Sequence, residues 1–222
     1  MSEEGTGGRG GNGSGPAGVL NGRRGADRAP APAPAFKEAL LIPASSLPLL
    51  FIDVDGPLNP FERAFPGPKG YTSHQMKPDT WVEEFPGMPH ARVPPLTVRL
   101  DPAHGPLLLE LPMEPVWATT WQDDANTWIG PHLGLPELPV VRWSAPRTPD
   151  PAGLHWKTRE LSAWAGERPF AWIDDEPGER DREWLDLHHP AHCLLLRIDA
   201  SRGLAAEDFA LLREWADRTR AA

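Results

Sequence analysis

The stretch Leu49-Leu50-Phe51-Ile52-Asp53-Val54-Asp55-Gly56-Pro57-Leu58-Asn59-Pro60 constrains this chain more than any other. Four apolar residues lead into two carboxylates one residue apart, and a Gly-Pro turn follows. An apolar run of this length, ended by turn residues, predicts a strand buried on both faces of a parallel sheet. In open α/β sheets, ligands gather beyond the carboxyl ends of such strands. Asp53 and Asp55 therefore fall where chemistry is expected. Carboxylates this close repel unless a cation joins them or one keeps its proton. The first case makes a hard-metal ligand, the second a nucleophile beside a general acid.

Other strand ends carry chemistry too. Pro115 to Ala118 reads as a second strand that ends in Thr119-Thr120-Trp121, and Phe170 to Ile173 as a fourth that runs into Asp174-Asp175-Glu176. Val140 to Trp143 and Cys193 to Ile198 complete five. Helices are expected after Asp101-Pro102, over Gln122 to Leu133, over Leu154 to Ala165 with Gly166 as its stop, over Glu179 to His188 and over Ala205 to Arg220. Strands alternating with helices predict an α/β fold with a doubly wound, mostly parallel five-stranded Rossmann-like sheet. Lys157 opens the helix before the fourth strand, where its charge opposes the helix dipole and so invites a functional reason.

If the first, second and fourth strands are neighbours, two carboxylate pairs, a hydroxyl and an amine converge. That set suits phosphoryl transfer, which needs positioning and charge neutralisation. Asp53-Val54-Asp55-Gly56, strand-Thr119, Lys157 and strand-Asp174-Asp175, in this order, resemble the four motifs of the haloacid dehalogenase (HAD) superfamily of phosphohydrolases. The strings Asp53 to Pro60 and Trp117 to Asn126 are also similar to the HAD-like domain of the Swiss Army knife RNA repair proteins.

The resemblance implies a Mg²⁺-dependent phosphatase with Asp53 as nucleophile and Asp55 as acid and base. Thr119 would hold the phosphoryl oxygens, with Thr120 competing for that part, and Lys157 would neutralise charge. The Mg²⁺ ligands would come from Asp53, Asp55 (through its main-chain carbonyl) and Asp175, supported by Asp174, although the order of the last two stays open. A phosphorylated small molecule or a nucleic-acid end is the implied substrate, and a non-catalytic phosphate-binding module is the rival. The sequence departs from the commonest first motif at Pro57-Leu58-Asn59, where a threonine often follows.

Residues 57–98 are polar and Pro-rich and read as a small cap insert over the site. Asn59, Lys69 and Tyr71 are its candidate substrate contacts together with Thr120, and His74 and Lys77 are further ones. Trp121 and Trp156 flank the predicted site and are candidates to stack on a base. Residues 1–37 are Gly-rich, then Ala-Pro-rich, and are expected to form a disordered tail before a domain spanning 38–222. Gly8 to Gly13 match G-x-G-x-x-G without the strand and helix that a dinucleotide site needs.

A formal charge of −9 argues against a passive nucleic-acid binder. The single cysteine, Cys193, excludes an internal disulfide and fits a cytoplasmic protein. His188-His189-Pro190-Ala191-His192-Cys193 fits no common zinc spacing. No signal segment is evident, and no apolar run approaches the roughly 20 residues of a membrane span.

Overall fold

The run Leu49–Ile52 forms strand β1, with every side chain buried. The structure, a computed structural model, describes residues 47–61 and 69–221. The expected tail at 1–37, the Gly8–Gly13 motif and positions 62–68 of the insert lie outside the described residues.

After β1 the chain makes β2 (Thr72–Met76), a single helical turn α1 (Asp79–Val82) and β3 (Leu96–Leu100). Then follow α2 (His104–Leu109), β4 (Glu114–Trp117), a π-helical turn at Ala125–Ile129 continued by α3 (Gly130–Leu133), and α4 (Thr158–Ala165). Strand β5 (Phe170–Asp174), α5 (Glu179–His188), β6 (Cys193–Arg197) and α6 (Ala206–Ala221) complete the order. The main sheet has four strands in the order β4-β1-β5-β6, and all three pairings are parallel. β2 and β3 pair antiparallel as a separate ribbon. Among the described residues no helix is long and apolar enough to cross a membrane.

The fold is thus α/β with a parallel sheet, but four strands stand where five were expected. The segment Val140 to Trp143 makes a single bridge, Val140 to Trp117. Pro139 has no N–H to offer a ladder, although its carbonyl accepts the Trp117 N–H at 2.8 Å. Past Val141 the chain turns away, and the Trp143 indole bonds to the Thr119 carbonyl instead. The helix expected at Asp101-Pro102 begins later, at His104, because the Asp101 carboxylate turns onto the Ala103 N–H (2.9 Å) and holds a turn first.

Alternation along the strands sorts the core into two layers. Leu50, Ile52, Ala171 and Ile173 face one side, packed with Leu108, Ile129 and Leu212 from the helices and with Met76, Val98 and Leu100 of the ribbon. Leu49, Phe51, Phe170 and Trp172 face the other, against Leu161 of α4 and Leu185 of α5. With both faces covered, polar groups collect at the carboxyl ends of the strands.

Candidate active site

Asp53 follows the last residue of β1, and its N–H still bonds to the Ile173 carbonyl of β5 at 3.1 Å. Its side chain therefore stands on the carboxyl edge of the sheet. Asp53 Oδ1 accepts the Val54 N–H at 2.8 Å, and Oδ2 accepts from Lys157 Nζ at 2.8 Å. The same ammonium reaches Asp174 Oδ2, at the end of β5, at 2.7 Å. Asp174 is otherwise fully engaged: Oδ2 also accepts from the Trp172 indole at 3.1 Å, and Oδ1 accepts the Glu176 N–H at 3.0 Å.

Lys157 precedes the first residue of α4 and is 2 % exposed, with the Trp156 and Trp143 rings 5.5 and 6.0 Å from its amine. A buried ammonium needs this kind of enclosure with compensating charge. Asp181 of α5 fixes the segment that delivers it. The Asp181 carboxylate accepts from the His155 N–H (2.7 Å), the Thr158 hydroxyl (2.6 Å) and the Gly178 N–H (2.9 Å).

Asp55 is half-buried and held at both oxygens: Oδ1 accepts from Asn59 Nδ2 at 2.7 Å, and Oδ2 from the Trp121 indole at 2.9 Å. Asn59 Oδ1 in turn accepts the Arg99 N–H of β3 at 2.8 Å, which ties this turn to the ribbon. Gly56 has φ +88°, and a Cβ there would lie 2.6 Å from Asp175 Cγ. The Gly in D-x-D-G is therefore needed twice, for the backbone and for the approach of Asp175.

Thr119 follows β4 by two residues and is fully buried. The Ala118 N–H bonds to the Ile52 carbonyl at 2.8 Å, so Thr119 sits beside Asp53. Its hydroxyl accepts the Trp121 N–H at 3.3 Å. Thr120 is half-buried and lines a cavity of about 560 Å³ between α1 and the turn after β4.

One ammonium thus serves two buried carboxylates, and they do not share it equally. Burial pushes Asp53 up to about 8; Lys157 opposes this, and the charges of Asp174 and Asp55 add to it. Burial would raise Asp174 as well, but Lys157 wins there and holds it below the ordinary range. The Glu176 N–H and the nearby His155 lower Asp174 further, whereas the neighbouring carboxylates raise Asp53. Burial works against the charged form of Lys157, yet Asp174 and Asp53 raise its pKa. Asp175 is pushed up to about 6 by burial and by Asp174.

Negative charge exceeds positive in this pocket, and ligand oxygens of Asp53, Asp174 and Asp175 all lie within 4.8 Å of one another. An all-oxygen set of that kind fits a hard cation such as Mg²⁺. Asp175 makes no ion pair among the described residues and is better placed than the engaged Asp174 to give up an oxygen. His155, Asp174 and Glu176 make a second close group, but there His155 Nε2 and Glu176 Oε2 already pair at 2.7 Å.

The structure brings Asp53, Asp55, Thr119, Lys157, Asp174 and Asp175 to one edge of the sheet. Other candidates are used differently. Asn59 positions Asp55. Lys69 and Tyr71 line a different depression, with His104 and Arg202. His74 packs on His132 with ring centroids 4.0 Å apart, and Lys77 donates to the His90 carbonyl. The histidines near Cys193 face separate partners: His188 stacks on Trp184, His189 bonds to the Arg168 carbonyl and His192 lies over Trp215. The sequence pattern missed the indoles of Trp121, Trp143 and Trp172 as hydrogen-bond donors to site groups, and Asp181 as the support of Lys157. No protein-family model, no curated protein and no solved structure matches the chain.

Proposed function

We propose that this chain is a Mg²⁺-dependent phosphomonoesterase that works through an aspartyl-phosphate on Asp53, in an HAD-like arrangement. The observation that carries the proposal is the Lys157 ammonium at 2.8 Å from Asp53 and 2.7 Å from Asp174, with Asp175 within ligand reach of both. Residues 104 and 17 positions from Lys157 meet at one amine, as the four ordered motifs require.

Asp53 attacks phosphorus through a carboxylate oxygen, forming an O–P bond as the bond to the leaving oxygen breaks. Asp55, two residues further on, gives that oxygen its proton. It then takes a proton from water, whose oxygen attacks the same phosphorus and frees Asp53. Lys157 and the Thr119 or Thr120 hydroxyl hold the phosphoryl oxygens. Asp53, Asp175 and the Asp55 main-chain carbonyl would hold Mg²⁺, with Asp174 in support. When bound, the ion would supply charge neutralisation that favours the ionised form of Asp53 and screens the incoming phosphate. The insert forms the cap, since α1 borders the cavity beside Thr120. A single cysteine fits a reducing compartment, so a cytoplasmic setting belongs to the same proposal.

Hydrolysis of p-nitrophenyl phosphate tests the reading. Turnover should require Mg²⁺ and should fall by at least about a thousandfold in Asp53→Asn, with the circular dichroism spectrum unchanged. Near wild-type turnover in that variant would refute the nucleophile.

A further inference from the structure

We infer that the cavity beside Thr120 receives the leaving group, and that this group is a planar, uncharged ring system bearing no second phosphate, the chemistry of a nucleoside 5′-monophosphate rather than of a phosphorylated strand end. The inference rests on the phosphomonoesterase reading above.

Trp121 links the two places. Its indole N–H holds Asp55 Oδ2 at 2.9 Å, while the residue lines the cavity. Trp121 thus puts this space next to Asp55, and a group bonded to the oxygen that Asp55 would protonate can extend into it. The α1 side offers Trp81 and Phe85, edge to face with centroids 5.0 Å apart, and the Trp81 indole is fixed by the Pro94 carbonyl at 2.9 Å. Aromatic walls of this kind suit a flat ring.

The charges at the rim set the second half of the inference. Glu83 and Glu84 face one cation, Arg147, whose guanidinium already holds Glu84 at 2.7 Å. Among the described residues lining the rim, a second phosphate would meet surplus carboxylate and no spare guanidinium, whereas a ring amino group would find an acceptor. Backbone strain marks the same place. Gln122 (φ +48°) and Arg147 (φ +58°) are the non-glycine residues with positive φ among the described residues, and both line this cavity. Strained backbone of this sort gathers at ligand clamps.

Adenosine 5′-monophosphate and ribose 5-phosphate share the same leaving oxygen and differ only in the base, so their kcat/KM ratio reads the cavity. With Mg²⁺ present, the ratio should be roughly tenfold or more in the wild type, the scale of one stacked base. It should fall toward one in Trp81→Ala and, independently, in Phe85→Ala. A 5′-phosphorylated tetraadenylate should be the poorer substrate. Equal turnover of the two monophosphates, or a ratio that both variants leave unchanged, overturns the inference and leaves the phosphatase reading intact. Faster turnover of the tetraadenylate overturns the single-phosphate claim. If nothing is hydrolysed, the phosphatase reading falls and calorimetry decides the cavity: adenosine monophosphate binding that weakens in Trp81→Ala sustains it, and no binding ends it.

Discussion

Lys157 is buried with its ammonium between Asp53 and Asp174, so its removal leaves two buried carboxylates without their shared cation. Breaking a buried pair in this way costs about 3–5 kcal/mol, and proton uptake by Asp53, already pushed up to about 8, keeps the figure near the lower end. Lys157→Met should lower the urea-unfolding free energy by about 3 kcal/mol. A loss within about 0.5 kcal/mol, the size of a surface substitution, would contradict the ion-pair geometry. Asp175 gives a pH test. Its carboxyl is raised from 3.8 to about 6 in the fold, so the folded state prefers the proton. Its contribution to stability is present below 3.8 and is lost as pH rises through about 6. The stability difference between wild type and Asp175→Asn should change across that window in metal-free protein, and Mg²⁺ affinity should weaken as pH falls through about 6. A flat difference in chemical denaturation would show that the carboxyl is not perturbed. Asp53, Lys157 and Asp174 were legible in the sequence because apolar runs end next to them or a helix begins there. The hold of Asn59 and Trp121 on Asp55 was not, because no periodicity reports where the tip of a side chain returns.

The elements were legible to the degree that local pattern decides them. β1 and β5 are continuous apolar runs buried on both faces, and both formed as read. Val140 to Trp143 was read the same way although Arg142 interrupts its apolar run; its pairing depends on partners supplied elsewhere and on a proline at its entry, so it ends as one bridge. The helix from Gln122 held in outline, yet a π turn at Ala125–Ile129 interrupts it, where the Asn126 side chain takes the Trp117 indole (2.8 Å) and the Leu138 N–H (2.9 Å). The turn after β1 is the element on which the site depends most. Gly56→Ala would place a methyl 2.6 Å from Asp175 Cγ in a backbone region closed to most L-residues. Two effects should follow: a loss of about 1–3 kcal/mol in stability and a weaker Mg²⁺ affinity, as Asp175 is pushed aside. Calorimetric titration of the variant with Mg²⁺ checks the second effect. Wild-type affinity would mean that Asp175 is no ligand.

At the scale of the whole molecule, the insert is not a detachable lid. Sequence pattern places it after the Asp53 strand and suggests a cap, but cannot show what its strands pack on. In the fold, Met76, Val98 and Leu100 of the β2–β3 ribbon are buried in the same cluster as Leu50 and Ile52 of β1. The Asn59 side chain bonds to β3 and to Asp55 at once, so the ribbon also holds the Asp55 side chain in place. Burying three such side chains contributes roughly 5–9 kcal/mol, comparable with the ~5–15 kcal/mol net stability of a typical domain. By contrast, α1 and the following 3₁₀ turn at His90–Arg92 bury none of their residues. If the proposed cap opens for a substrate, the least buried part available to move is α1 and the 3₁₀ turn between the two strands, not the ribbon. Replacing residues 72–100 with a short linker should leave a chain without a cooperative thermal transition, whereas shortening only the 83–92 segment should keep the fold and change substrate preference. A stable, cooperatively folded protein from the larger deletion would show that the ribbon is an appendage, and the hold of β3 on Asn59 and Asp55 would then be dispensable.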